Sequence, residues 1–306
     1  MQVRYDEDFV EQVAFLFAYG AAPQAPRLQV TRFHRERERL YALLDPAERN
    51  AAFFRLHLEW FREWGLEQAL LGVLREFALL PDALNALAVR KARLKSDEGA
   101  ELYVSSENGR VGVLAMRVER FHDRIELARF LHHELTHLQD MIDPSFGYSP
   151  DWQLPGQNAA QQRLMRERYR LLWDITIDGR LARRPEADPE AGQRHRTAFD
   201  RAFGFWPETR RNESFERLWN ESRPRHAELM ALASDPREIK THPEIRPGAP
   251  CPLCGFSTFT WAEPGACEKA AAKIRDEFPQ WTPDQGACRR CVEVYRHAGA
   301  QTLATI

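Results

Sequence analysis

The first part of the chain has the hydrophobic pattern of long amphipathic helices. Over residues 6–80, and most clearly in AERNAAFFRLHLEWFREWGLEQALLGVLREFALL, apolar residues recur every three or four positions. Gly65 interrupts this pattern and Pro81 follows it, so a break is expected at the glycine and a stop at the proline. The pattern predicts a helical N-terminal region.

The pattern then changes to short runs rich in β-favouring residues. These runs are LAVRKAR, ELYVSS and RVGVLAMRVE, with the turn signal ENGR between the last two. Together they predict a small antiparallel sheet. The last run could be an edge strand that holds an extended peptide by main-chain hydrogen bonds, or an ordinary strand of the sheet.

A second amphipathic helix is predicted within HDRIELARFLHHELTHLQDMIDP. Asp123 can cap its start and Pro144 marks its end. One stripe of this helix is apolar, at steps of four, four, three and four: Leu127, Leu131, Leu135, Leu138 and Ile142. His133 and His137 lie on a different face, which leaves them available for another role. His132 points away from that face, and we expect it to be exposed or hydrogen-bonded.

The stretch HELTH contains the pattern HExxH. His133 and His137 are one helical turn apart, so both imidazoles can reach a single metal ion. Glu134 projects beside them, where it can act as a general base on a water molecule. Zinc hydrolases use this spacing for that geometry.

A third ligand is expected from the helix predicted over residues 157–184. Asp174 and Asp178 are four positions apart within the apolar run LLWDITID. Two buried acids need a cation or hydrogen-bond donors, so one could bind the metal while the other orients a ligating histidine. Alternatively, they could cap the helix or pair with Arg180.

Asp143 is another possible third ligand. It follows His137 by six residues, so its carboxylate would have to return through a sharp turn. Asp140 stands where a glycine would allow that turn, which disfavours this alternative.

These motifs resemble the gluzincins, a group of zincin metallopeptidases in which HExxH is followed some tens of residues later by E-x-x-x-D on a second helix. The resemblance implies that His133 and His137 bind zinc and that Glu134 is the general base. It also implies that Asp174 is the third ligand and that Asp178 supports a histidine.

The resemblance covers about residues 87–184, and the chain departs from the family in one ligand. Asp174 stands where the family has glutamate. Because aspartate is one methylene shorter, either the two helices approach more closely or Asp178 binds instead. Three residues are candidates for the donor that stabilises the transition state: Tyr148, Arg180 and His195.

The C-terminal part contains two C-x-x-C pairs. Cys251, Cys254, Cys288 and Cys291 can complete a tetrahedral zinc site with four thiolates, and a site with no open position is structural. Their order, with a predicted strand FSTFTW and a predicted helix CVEVYRHAG, resembles treble-clef or zinc-ribbon modules. EKAAAKIRDEF is predicted as an inserted helix, and Cys267 as a small buried apolar residue.

Composition separates two parts of the chain at the proline-rich THPEIRPGAP. We predict a zincin-like domain over residues 1–240 and a zinc-binding module over 241–306. The module has seven basic and seven acidic residues, so we expect a protein partner rather than nucleic acid.

The start of the chain carries acids where a secretory signal is basic, and no apolar run is long enough for a membrane span. These features, with clustered cysteines, predict a cytoplasmic protein.

The sequence therefore predicts a mostly helical α+β protein with one catalytic and one structural zinc ion. The leading hypothesis is a hydrolase that cleaves peptide bonds in a peptide or protein substrate. The second is a weakly active or inactive peptidase-like protein that serves as a binding or regulatory scaffold. A di-iron helical bundle built on Glu134 and His137 ranks last, since it needs a second E-x-x-H on another helix.

Overall fold

The chain folds into two compact units, residues 1–234 and 235–306. The structure is a computed structural model, and the residues it describes are 1–20, 25–105, 109–150, 159–234, 245, 248–279 and 281–297. Most of them are helical, and each unit has a small sheet, so the prediction of a mostly helical α+β protein is confirmed.

The first unit contains ten α-helices in its described part. They are α1 Glu7–Tyr19, α2 Arg27–Leu40, α3 Pro46–Glu63, α4 Leu66–Leu74, α5 Leu79–Ala83, α6 Arg124–Ile142, α7 Ala159–Leu181, α8 Ala191–Ala202, α9 Glu208–Trp219 and α10 His226–Ser234. The predicted break lies at Gly65, which takes the left-handed conformation with φ 73° between α3 and α4. The stop predicted at Pro81 is wrong: this proline lies in the first turn of α5, where its missing N–H is not needed.

The sheet of the first unit is mixed rather than antiparallel. Its strands are β1 Gln2–Tyr5, β2 Ala86–Lys91, β3 Gly99–Ser105 and β4 Gly109–Met116, in the order β1-β2-β4-β3. β1 runs parallel to β2 and β2 parallel to β4, while only β3 and β4 are antiparallel. The antiparallel prediction failed because β4 inserts between β2 and β3, which separates two strands that are neighbours in sequence.

The run RVGVLAMRVE forms β4, which is an interior strand. Its register pairs Ala86 with Val111 on one side and Ala100 with Leu114 on the other. Of the two alternatives, the edge strand is therefore wrong and the ordinary sheet strand is confirmed; the edge on this side is β3. The predicted ENGR turn covers residues 107–110; its first two residues lie outside the described residues, and Gly109 and Arg110 begin β4.

Helix α6 packs its apolar stripe into the main core of the first unit. Every residue of the predicted stripe is buried there: Leu127, Leu131, Leu135, Leu138 and Ile142. Asp123 caps the helix by accepting hydrogen bonds from the backbone N–H groups of Ile125 and Glu126. Packing on β4 is close, since a Cβ added to Gly112 would lie 2.8 Å from a methyl group of Leu138. The cap and the packing fix the direction in which the remaining faces of α6 point.

A second core lies around α7, and the predicted span of 157–184 contains the described helix but extends three residues past its end at Leu181. Apolar residues of α7 pack there with side chains of α8, α9 and α10, including Leu172, Ile175, Phe199, Leu218 and Leu229. α7 therefore lies between this core and α6.

Within the described residues, no helix is long and apolar enough to cross a membrane.

The second unit is a small α+β unit around the cysteine pairs. It contains β5 Ala249–Pro250, β6 Ser257–Thr258, α11 Pro264–Glu277 and α12 Arg289–His297. The helices predicted in EKAAAKIRDEF and CVEVYRHAG are confirmed, whereas the strand predicted in FSTFTW is only two residues long. Cys267 is buried in the core of this unit, as predicted.

Gly179 allows α9 to approach α7, and its replacement tests how tightly this pair is packed. A Cβ at Gly179 would lie 2.0 Å from the carbonyl oxygen of Trp219, which is backbone and cannot rotate away. We expect Gly179→Ala to lower the free energy of unfolding by about 1–3 kcal/mol, measured by urea denaturation. Gly72→Ala in α4 is the control: a Cβ there meets nothing within 4 Å, so this variant should be slightly stabilised. Equal stability of the two variants would contradict the packing argument.

Candidate metal centres

Helices α6 and α7 bring three of the predicted ligands together. One ligand atom from each of His133, His137 and Asp174 lies within 4.8 Å of the others. Asp174 Oδ1 is 3.0 Å from His137 Nε2 and 3.7 Å from His133 Nε2. The side chains lie where the facing surfaces of the two helices meet, and each is buried or half-buried.

These distances fit the dimensions of a zinc site. Ligand atoms at about 2.0–2.1 Å from a tetrahedral zinc ion are separated from one another by roughly 3.3 Å. The two separations measured from Asp174 Oδ1, 3.0 and 3.7 Å, lie on either side of that value. Two imidazoles and one carboxylate also form a typical donor set for a zinc ion with one open position.

Asp178 holds His133 from the side opposite to Asp174. Its Oδ1 accepts a hydrogen bond of 2.7 Å from His133 Nδ1, and its Oδ2 lies 2.6 Å from His195 Nε2. The bond to Nδ1 leaves Nε2 of His133 directed at Asp174. Asp178 is thus placed to fix the tautomer and ring orientation of a ligating histidine.

The imidazoles and carboxylates of the cluster strongly shift one another's pKa values. Burial raises the pKa of Asp174 and of Asp178, but hydrogen bonds from the neighbouring imidazoles outweigh burial and hold both values below their usual range. Burial likewise opposes protonation of His133, and the two carboxylates outweigh it, so the pKa of His133 is raised well above its usual value. The arrangement therefore favours positive charge between the two helices, which is the charge that a metal ion would supply.

Arg180 is not a partner of either acid. It forms a two-point ion pair with Asp140, with distances of 2.9 and 2.6 Å. Asp140 also accepts a hydrogen bond from Trp173 Nε1 at 2.7 Å, and the Trp173 ring packs edge-on against His137 with centroids 4.4 Å apart. The alternative in which Asp174 and Asp178 pair with Arg180 is therefore wrong, and Arg180 instead fixes the wall behind His137.

Glu134 lies at the floor of a large cleft. Its Oε2 accepts a hydrogen bond of 2.8 Å from the backbone N–H of Ala100 on the edge strand β3. The cleft has a volume of about 1030 Å³ and is lined by Glu134, His137, Tyr148 and Trp173, among others. A second hollow of about 590 Å³ reaches His133, Asp174 and Asp178 from the other side. Glu134 lines both spaces.

The remaining candidates are not part of the cluster. Asp143 ends α6 and accepts a hydrogen bond from the backbone N–H of Ser145, so it does not join the gathered ligands. His132 is buried, and its Nδ1 donates to the carbonyl of Ala128 at 2.8 Å, as expected for a hydrogen-bonded histidine. Of the three candidate donors, Tyr148 lines the large cleft, whereas Arg180 and His195 are held by carboxylates.

The four cysteines of the C-x-x-C pairs form a second cluster. Their sulfur atoms all lie within 4.8 Å of one another, with 4.0 Å between Cys251 and Cys291 and 3.9 Å between Cys254 and Cys288. Sulfurs at about 2.3 Å from a tetrahedral zinc ion are roughly 3.8 Å apart, so the spacing fits. None of the five cysteines is in a disulfide. This cluster could hold a metal ion.

The surroundings of the cysteines shift their thiol pKa values in different directions. Burial opposes ionisation of Cys251, but backbone N–H groups, including that of Cys288, outweigh it and lower the pKa of the Cys251 thiol. Burial is the main cause that raises the pKa of the Cys288 and Cys291 thiols. A bound cation would offset the burial that opposes ionisation of Cys288 and Cys291.

Comparisons of the chain with family models, with curated proteins and with solved structures found no match. Arguments about function therefore rest on the geometry of these two clusters and of the cleft.

Zinc content tests both clusters together. We expect about two zinc ions per chain, one from each donor set, measured by elemental analysis of the purified protein. His133→Ala should remove one and Cys254→Ser the other, since each loses a ligand. His34→Ala, which changes an exposed histidine of α2, is the control and should keep both. A His133→Ala protein with the zinc content of the control would exclude the first cluster as a zinc site.

The two aspartates should contribute unequally to zinc affinity. Loss of a residue that only orients a ligand lowers metal affinity by about 10–100-fold, and we expect this effect for Asp178→Asn. Asp174→Asn, which removes a direct ligand, should lower affinity further. Competition with a chromophoric chelator measures both. The reverse order would assign the third ligand to Asp178.

Proposed function

We propose that the protein is a zinc-dependent hydrolase of peptide bonds. One observation carries the proposal: His133, His137 and Asp174 converge next to Glu134, which lines both the large cleft with His137 and the hollow that reaches His133 and Asp174. The resemblance of HELTH and DITID to the gluzincin motifs supports it. In this proposal the first unit holds a catalytic zinc ion and the cysteine cluster of the second unit holds a structural one.

The chemistry assigned to each residue follows from its position. A zinc ion held by the two histidines and Asp174 would supply a Lewis acid that polarises the scissile carbonyl and acidifies water. Glu134 accepts a proton from the attacking water and delivers it to the leaving amine nitrogen, so one water is consumed and a carboxyl and an amine are released. Asp178 keeps His133 oriented throughout, with support from His195.

The shorter side chain of Asp174 is compatible with this role because the two helices are in direct contact. Asp174 Oδ1 lies within hydrogen-bond distance of His137 Nε2, at 3.0 Å, so no extra methylene is needed to reach the cluster. Tyr148 is the candidate for the donor that stabilises the transition state. It lines the same cleft as Glu134 and His137 and lies 5.8 Å from the Trp173 ring, measured between centroids.

The second unit fits a structural and protein-binding role in this proposal. Four thiolates leave no coordination position for a substrate. Its balanced charge favours contact with a protein over nucleic acid. The free thiols support a reducing compartment such as the cytoplasm.

A scaffold with little or no activity is the second candidate, and one observation favours it. The carboxylate of Glu134 already accepts the hydrogen bond from Ala100, so one of its oxygens is occupied by the edge strand. A peptidase-like fold used only for binding would keep the cleft and the metal, and would not need the base to be free.

Glu134→Gln separates the two candidates. Glutamine keeps the shape and the hydrogen bond to Ala100 but cannot accept a proton, so we expect hydrolysis of a quenched peptide library to fall by at least about 100-fold. Zinc content should stay the same, because Glu134 is not among the gathered ligands.

Glu126→Gln, in the first turn of the same helix, is the matched control and should retain activity. A wild-type protein that loads zinc yet cleaves no member of the library would favour the scaffold. Activity in the Glu134→Gln protein equal to that of the control would exclude Glu134 as the base.

A further inference from the structure

Three exposed arginines line the large cleft. Arg93 follows β2, and Arg166 and Arg170 lie on α7; all three are exposed and line the cleft. Within the described part of the chain, none of these side chains forms a hydrogen bond or an ion pair. Most arginines near the cluster are different in this respect, as Arg120 and Arg180 are each held by a buried carboxylate.

The acids that line the same cleft are all occupied. Glu98 is held by Arg120, and Glu101 lies 3.6 Å from Arg90 and accepts from Tyr103. Asp97 accepts from the backbone N–H of Leu94, and Glu134 from that of Ala100. Asp97 and Glu134 keep their charge, because a backbone N–H does not neutralise a carboxylate, but the three unpaired arginines outnumber these two acids.

The two arginines of α7 are aligned with the metal cluster. Arg166, Arg170 and Asp174 succeed one another at steps of four, so the arginines lie about 12 and 6 Å from Asp174 along the helix axis. Like charges four positions apart destabilise a helix slightly, so this pair does not serve the stability of α7. Both arginines line the same cleft as Glu134 and His137.

We propose, on the basis of the proposed function, that the cleft selects peptides with acidic side chains. An extended peptide advances about 3.3 Å per residue, so a glutamate or aspartate about two to four residues from the scissile bond would reach Arg170 or Arg166. Arg93, which follows β2 and lines the same cleft, provides a third contact. Complementary charge of this kind selects among substrates and speeds their association.

Paired peptide pools test the selection. The pools are quenched peptides that are identical except that glutamates flanking the central residues are replaced by glutamines. Each exposed ion pair contributes roughly two- to fivefold, so wild type should cleave the glutamate pool with a kcat/KM about tenfold higher. The double variant R166Q/R170Q should reduce this ratio to about two or less, and added salt should reduce it in wild type.

The control removes the same charge elsewhere. R35Q/R39Q changes two exposed arginines of α2, outside the cleft, and should keep the wild-type ratio. Zinc content and Tm are measured for both double variants, so that a loss of ratio is not confused with a loss of fold or metal.

A binding measurement separates this proposal from the hydrolase itself. In the Glu134→Gln protein, fluorescence anisotropy compares a labelled glutamate-rich peptide with its glutamine twin. Tighter binding of the acidic peptide, abolished by R166Q/R170Q, supports the selection even where no peptide is cleaved. Equal binding of both peptides, or a kcat/KM ratio near one in an active wild type, would overturn the selection and leave the hydrolase proposal intact.

Discussion

The carboxylate of Asp174 joins helices α6 and α7 by contacting both histidines of the candidate site. It lies 3.0 Å from one imidazole of α6 and 3.7 Å from the other, and both histidines come from one face of that helix. A carboxylate and two imidazoles removed from water are unfavourable unless each has a partner. The position of α7 against α6 therefore determines whether these polar groups are satisfied, and with it the floor of the cleft.

Two further carboxylates make this position specific. Asp178 ties His133 to α8 through His195, and Asp140 ties Arg180 and Trp173 of α7 back to α6. The first interaction sets the direction of a ligating nitrogen, and the second sets the wall against which His137 packs. A rotation of α7 about its axis would break the contacts of both Asp178 and Asp140. Several hydrogen bonds and ion pairs therefore fix the positions of the ligand side chains together.

Local features of the sequence were sufficient to predict α6 and the face that carries its two histidines. The cap at Asp123, the apolar stripe and the four-residue spacing of His133 and His137 all act within a few turns of one helix, and local rules describe them well. The spacing of Asp174 and Asp178 was also readable, because both lie on one face of α7. Each C-x-x-C motif was likewise a local pattern, since its two cysteines are three positions apart.

Features that depend on distant pairing could not be predicted in the same way. The register of β2 with β4 joins strands with β3 between them in sequence, and the short strand β1 has no strong pattern of its own. The Asp140–Arg180 pair spans 40 positions, so nothing near either residue indicates the other. The hydrogen bond from Ala100 to Glu134 likewise depends on β3 being the edge strand, which only the sheet order reveals.

The two candidate metal sites differ in what could keep their ligand side chains in place without a metal ion. In the first, imidazoles and carboxylates are hydrogen-bonded to one another, so opposite charges on the side chains already hold the ligands in place. In the second, the donors are four sulfurs and include no cationic side chain. The Cys251 and Cys291 sulfurs are 4.0 Å apart, and the Cys254 and Cys288 sulfurs are 3.9 Å apart. Ionised thiols would repel one another there, and protonated thiols are only weak hydrogen-bond partners. A bound cation would remove that repulsion, and the four sulfurs are spaced so that they could hold one. The first unit, in contrast, has two large apolar cores, and the ligands of its site are held by their own hydrogen bonds.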